Sequence, residues 1–173
     1  MSTLITTTAQ IGTIKDAGGN ATAMTFDSSG RVFRSVIPHI FAVRRDNSGG
    51  GYVTVSNGSK YEFNTMIESA GGFALSSGAV QIPVAGLYQF NVTCLNNNVE
   101  NNELSLIVTG ASNYFLRQFF NSQRAMTLSF TKTLNANDTI EMRNTIGGNR
   151  GWHYTGPDGD GDIYTHMSGH LIG

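Results

Sequence analysis

The sequence predicts an all-β sandwich or barrel, and three observations carry that expectation. Small polar residues dominate, with 15 Ser, 18 Thr, 16 Asn and 21 Gly among 173 residues, a mixture that disfavours helix and suits strands joined by tight turns. Short runs with an apolar residue at every second position recur, separated by turn signals about every ten residues. No window of comparable length carries the period of an amphipathic helix. A hydrophobic fraction of 39%, with 10 Phe, 6 Tyr and 1 Trp, suffices to build a core.

Taken in order, the first thirty residues hold a single aromatic, Phe26, amid Thr, Ala and Gly. They read as an extended arm (residues 1–36) unable to bury a core by itself. Within it, two short β-like runs flank the turn sequence Asp27-Ser-Ser-Gly30. From Ile37 the alternation becomes regular. Ile40 and Ala42 alternate with Phe41 and Val43, and Tyr52 and Thr54 with Val53 and Val55, up to Asn57-Gly58, a strong hairpin signal. Tyr61, Phe63 and Met66 follow, then Val80-Gln81-Ile82 before Pro83. The clearest strand places Tyr88, Phe90, Val92 and Cys94 on one face and Gln89, Asn91 and Thr93 on the other. Leu104, Leu106 and Val108 form the next apolar stripe, and Met126, Leu128 and Phe130 another. After the turn at Asn135–Asp138 come Ile140 and Met142, and Thr165, Met167, Gly169 and Leu171 close the chain. Eight to ten strands are expected.

Charge narrows the function. Eleven Lys and Arg against twelve Asp and Glu give a net charge of -1, and charged residues are 13% of the chain, against a globular average of about 25%. Too few cations are present to hold nucleic acid or an acidic membrane, so neither is an expected partner. The single cysteine, Cys94, cannot form an intrachain disulfide, and Met1–Thr8 lacks the basic and apolar regions of a secretory signal. Folding and assembly in a reducing cytoplasm are therefore expected. There is no Gly-x-Ser-x-Gly elbow, no His-Glu-x-x-His and no phosphate loop. The chain is not expected to be an enzyme, and no cofactor is expected.

Several segments together carry a resemblance. Gly78-Ala-Val-Gln-Ile-Pro-Val-Ala-Gly-Leu-Tyr-Gln-Phe-Asn-Val92 resembles the strand–Pro–x–x–Gly–x–Tyr–x–Phe segment of complement-type globular heads, which belong to the tumour-necrosis-factor (TNF)-like jelly rolls. Tyr61–Asn64, Leu104–Gly110 and Leu134–Met142 fall in that family's order. Met167-Ser-Gly-His-Leu-Ile172 is similar to its closing Phe-Ser-Gly-Phe-Leu-Leu strand, with Met167 and His170 departing from the aromatic pattern. The likeness covers residues 38–173 and implies a jelly-roll head that associates as a trimer about a threefold axis. Phe26-Asp-Ser-Ser-Gly-Arg-Val-Phe33 is similar to a stretch that precedes such heads in bacteriophage structural proteins. It implies an anchoring arm with Phe26, Arg31 and Phe33 in it.

Candidate sites follow from these expectations. If the strands carrying Gln89–Thr93, Thr139–Arg143 and Tyr164–His170 share a sheet, then Gln89, Asn91, Thr93, Glu141, Arg143, Tyr164, His166 and His170 form a polar surface. A trimer would bury that surface, and Glu141 and Arg143 would pair across subunits, because an unpaired buried charge is costly. His166 and His170 stand about 13 Å apart along one strand, too far to share an ion. Asp158, Asp160 and Asp162 can aim carboxylates at a hard cation such as Ca²⁺. Ile163 and Gly169 stand where an EF-hand loop needs Gly and Glu, so the cluster reads first as an Asp/Gly turn and only second as a metal site. Trp152 and Tyr154 could stack on a sugar if they lie at a loop tip, although packing under the end of the sandwich is the stronger reading. The resemblance implies a bacteriophage virion structural protein, expected to be a trimeric capsid decoration protein bound through its arm to a major capsid or other virion protein. The alternative is a tail-fibre or receptor-binding tip that recognises a host glycan or protein.

Overall fold

The computed structural model describes residues 13–15, 22–26, 29, 32–34, 37–45, 51–97, 102–110, 114–120, 125–145, 147–154 and 163–172. The chain divides into two compact units, Met1–Ile37 and Pro38–Gly173.

In the first unit, β1 (Thr13–Lys15), β2 (Thr22–Phe26) and β3 (Val32–Arg34) form an antiparallel sheet in that order. β2 and β3 pair around the expected turn, with Phe26 opposite Val32 and Thr25 opposite Phe33. The two short β-like runs expected in the extended arm thus pair with each other, and β1 joins them. Strand pairing satisfies the backbone groups of this Thr-rich segment without requiring an apolar core. Arg31 lies outside the described residues.

The second unit carries thirteen strands among its described residues: β4 (His39–Val43), β5 (Tyr52–Val55), β6 (Lys60–Tyr61), β7 (Thr65–Ala70), β8 (Ala74–Ser76), β9 (Ala79–Gln81), β10 (Gly86–Leu95), β11 (Asn102–Thr109), β12 (Tyr114–Phe120), β13 (Ala125–Leu134), β14 (Thr139–Arg143), β15 (Arg150–His153) and β16 (His166–Leu171). They build a five-stranded sheet, β13-β10-β16-β4-β7, and a six-stranded one, β12-β11-β14-β9-β8 with β6 beside β14. A two-stranded ribbon, β15-β5, completes the head. All pairings are antiparallel.

The predicted apolar stripes become the core. Tyr88, Phe90, Val92 and Cys94 of β10 are fully buried, as are Leu104 and Leu106 of β11 and Ile140 and Met142 of β14. Phe73 meets the rings of Tyr88 and Phe90 edge-on, at centroid distances of 5.8 and 6.3 Å. The Ser-Gly pair of the closing strand has a steric reason. A Cβ on Gly169 would run into the Phe90 ring, so glycine lets β16 lie against that ring. Burial pushes the Cys94 thiol well above its ordinary range, which fits a small apolar filler rather than a nucleophile.

Two local expectations are revised. At Asn57-Gly58 the chain does turn, with Gly58 at φ 78 and the Ser59 N–H donating to the Ser56 carbonyl at 3.0 Å. The flanking strands nevertheless part, β5 pairing with β15 and β6 with β14. Buried Asn144 explains this: its amide donates to the carbonyls of Val55 (2.8 Å) and Gly148 (3.0 Å), while its backbone bonds both Gly58 and Ser59. β8, β12 and β15 were not expected, because Gly or clustered aromatics break the two-residue period in each or beside it.

Candidate functional site: the outer face of the five-stranded sheet

Strand register turns the alternation of β10 into a surface. Residues directly opposite one another in antiparallel strands share a face, so Asn91 aligns with Ser129 of β13 and Ser168 of β16, and Ser168 with Phe41 of β4. On one side of this row lie Thr127, Thr93 and His166; on the other lie Thr131, Gln89, His170 and His39. Hydroxyls and amides bond one another along it. The Ser129 hydroxyl donates to Asn91 Oδ1 at 2.6 Å, and Thr93 and Thr127 share a 3.4 Å contact.

The rows over β13, β10, β16 and β4 carry no carboxylate, lysine or arginine; Glu68 stands at the rim, on edge strand β7 opposite Phe41. His166 stacks on Phe41 at 5.1 Å, and its Nδ1 is buried without a hydrogen-bond partner among the described residues. Desolvation lowers the His166 pKa, favouring the neutral ring. A surface of this kind can be removed from water at modest cost, since neutral groups that already bond each other shed few hydration contacts.

The opposite face of the head is ionic. Arg117, Ser105, Arg143 and Lys60 align across β12, β11, β14 and β6. Their charges are met within the chain: Arg117 Nε lies 2.8 Å from Glu103, Arg143 2.5 Å from Glu141, and Lys60 3.8 Å from Glu141. Glu103 is itself buried and takes hydrogen bonds from Ser105 and Thr145.

Of the expected interface residues, Gln89, Asn91, Thr93, His166 and His170 come together on one face. Glu141 and Arg143 do not join them, because β14 belongs to the other sheet. They pair with each other, and the expectation that they meet across subunits is withdrawn. Tyr164 precedes β16 and packs edge-on against His153 of the ribbon, at 5.6 Å. Phe41, His39, Ser168 and the hydroxyls of β13 were missed; the alternation of β13 was legible, but its neighbour was not.

Trp152 and Tyr154 are buried, at 0% and 3% exposure. They point under the ribbon and offer no ring to a sugar, which corrects the stacking alternative. Asp158, Asp160 and Asp162 lie outside the described residues. Among the described residues no group of three His, Cys, Asp or Glu side chains could hold a metal ion, and no helix is long and apolar enough to cross a membrane.

No family model matches the chain, and no curated relative matches it in sequence. Solved structures do. The chain is similar to the Eiger TNF of S. frugiperda, with a TM-score of 0.56 and 16% identity over 79% of this chain and 93% of that one. It is similar to the globular domain of the zebrafish complement 1qA protein, with a TM-score of 0.51 and 17% identity over 79% and 98%. The PRD1 vertex protein P5 is a further likeness, with a TM-score of 0.55 and 16% identity over 80% and 99%. The head therefore has the jelly-roll fold of TNF and complement heads.

Proposed function

We propose that this protein is a bacteriophage virion structural protein, a homotrimeric capsid decoration protein whose head assembles through the outer face of the five-stranded sheet. The observation that carries this reading is the contrast in charge between the two outer faces. The rows around Asn91 carry no charge over β13, β10, β16 and β4 and can be desolvated at modest cost, whereas the rows around Ser105 carry Arg117, Arg143 and Lys60, still partly exposed, whose desolvation would be costly. Complement-type heads, which the sequence resembles, associate about a threefold axis, and the fold likeness to a phage vertex protein supports a place on a particle.

The N-terminal unit is the anchor. Within the described residues, β1 and β3 each have one edge that takes no strand partner, and such edges add to a neighbouring chain by backbone hydrogen bonding. Three such units per trimer multiply a weak contact into avidity. Linked capsomers then separate only when several contacts break together.

Three experiments test the reading. Light scattering on the purified chain is expected to give a three-chain mass that persists on dilution. Particle reconstruction is expected to place the head over the capsid lattice, and deletion of residues 1–30 to leave trimers that no longer coat particles. A dilution-stable monomer, or a truncated head that still coats capsids, would overturn it.

A further inference from the structure

The alternation that buries Trp152 turns its neighbour outward. In the β15–β5 ribbon, Trp152 lies opposite Val53 on the inner side, while His153 lies opposite Tyr52 and Gly151 opposite Thr54 on the outer side. Tyr52 and His153 meet edge-on at 6.0 Å, and Tyr164 closes on the far side of His153 at 5.6 Å. Both tyrosines remain open to solvent, at 44% and 39% exposure.

The ground beneath this trio is fixed. The Tyr61 hydroxyl donates to the His153 carbonyl at 2.9 Å, Gly51 N–H donates to the Tyr154 hydroxyl at 3.0 Å, and Tyr61 packs on Trp152 at 5.8 Å. Asn97 lies over Gly151, accepting its N–H at 3.2 Å. The Asn97 amide nitrogen, the Tyr52 hydroxyl and the His153 ring nitrogens have no hydrogen-bond partner among the described residues.

We propose that the outer side of this ribbon, with Tyr52, His153, Tyr164 and Asn97, is a binding site for a neutral saccharide. Exposed rings held by their neighbours cover the C–H face of a pyranose at little entropic cost. The unpartnered amide, phenol and imidazole suit hydroxyl groups, and none of Tyr52, Thr54, Asn97, Gly151, His153 and Tyr164 carries a carboxylate, lysine or arginine to call for an ionic ligand. Size also favours a small ligand. Rings that bury about 150–250 Å² each when fully covered, and here are already partly covered, fall short of the roughly 800 Å² per partner of a stable protein interface.

Saturation-transfer NMR on the full chain tests this with maltotriose, triacetylchitotriose and lactose at millimolar concentration. Transfer to the ring protons of at least one sugar is expected. Tyr52→Ala and Tyr164→Ala should each weaken binding about tenfold or more, whereas Tyr52→Phe, which keeps the ring, should change it by less than about threefold. Thr54→Arg, which leaves all three rings in place, should also abolish transfer and covers the case in which an alanine variant fails to fold. Absence of transfer to all three sugars, or transfer that survives Thr54→Arg or the two alanine changes combined, would overturn the proposal.

Discussion

The two outer faces of the head are built alike and finished differently. Each centres on a row that crosses neighbouring antiparallel strands through a small polar residue. In one, Ser129, Asn91, Ser168 and Phe41 lie side by side; in the other, Arg117, Ser105, Arg143 and Lys60 do. The first is joined by neutral hydrogen bonds and leaves His166 Nδ1 without a partner among the described residues. The second holds three partly exposed cations against the more deeply buried carboxylates of Glu103 and Glu141. Backbone geometry made both sheets, and side-chain charge sets how costly each face would be to take out of water.

The largest expected effect breaks this difference outright. Asn91→Asp is isosteric and can still accept the Ser129 hydroxyl, so the isolated head should keep its fold. In the trimer it would bury an unpaired charge, which costs about 3 kcal/mol or more per site. Light scattering should then show monomer, and an unchanged trimer mass would show that this face is not the buried one.

On the ionic side, Glu103→Ala removes the acceptor shared by Ser105, Thr145 and Arg117. The buried Ser105 hydroxyl and that of Thr145 would keep only their mutual 2.6 Å hydrogen bond, which should lower head stability by about 1–3 kcal/mol. Denaturant melts read this, with the oligomeric mass unchanged.

A smaller effect sharpens the neutral face. Since burial lowers the His166 pKa in the folded state, the unfolded chain binds its proton first as pH falls. The neutral ring's contribution is complete above the unfolded value of about 6.5 and is lost as pH falls through it toward the folded value. Melting temperatures from pH 7 to 5 should fall less steeply in His166→Gln than in the parent. Smallest of all, Lys60→Ala removes a partly exposed pair to Glu141, and should cost less than about 1 kcal/mol and vanish in high salt. A loss as large as that of Glu103→Ala would mean the ionic face is buried after all.

Much of the head was legible because alternation needs only one strand to be read. The inward positions of β10, β11 and β14 were all expected, and all are buried. So was the turn before β14, where Asn137 takes a φ of 69 and the Asp138 carboxylate accepts the Asn135 N–H at 2.9 Å. What failed concerned pairs of strands distant in sequence. Glu141 and Arg143 share the polar, outward pattern of Gln89 and Asn91, and nothing in either run says that β14 and β10 belong to different sheets. The aromatic cluster failed for a related reason: Trp152, His153 and Tyr154 are consecutive, and only the docking of β15 on β5 decides which of them faces water.

Composition and periodicity by themselves determined that this chain is all-β and which side chains make its core. These are properties of single segments, set by the two-residue period of a strand and the transfer of apolar side chains from water. Tertiary structure decided which segments share a sheet, and so gathered Asn91, Ser168 and His166 on a face with no charge over its four neighbouring strands β13, β10, β16 and β4, while Glu141 and Arg143 pair on the opposite one. Register between strands separated by tens of residues follows from the packing of the whole sandwich, and no local pattern encodes it.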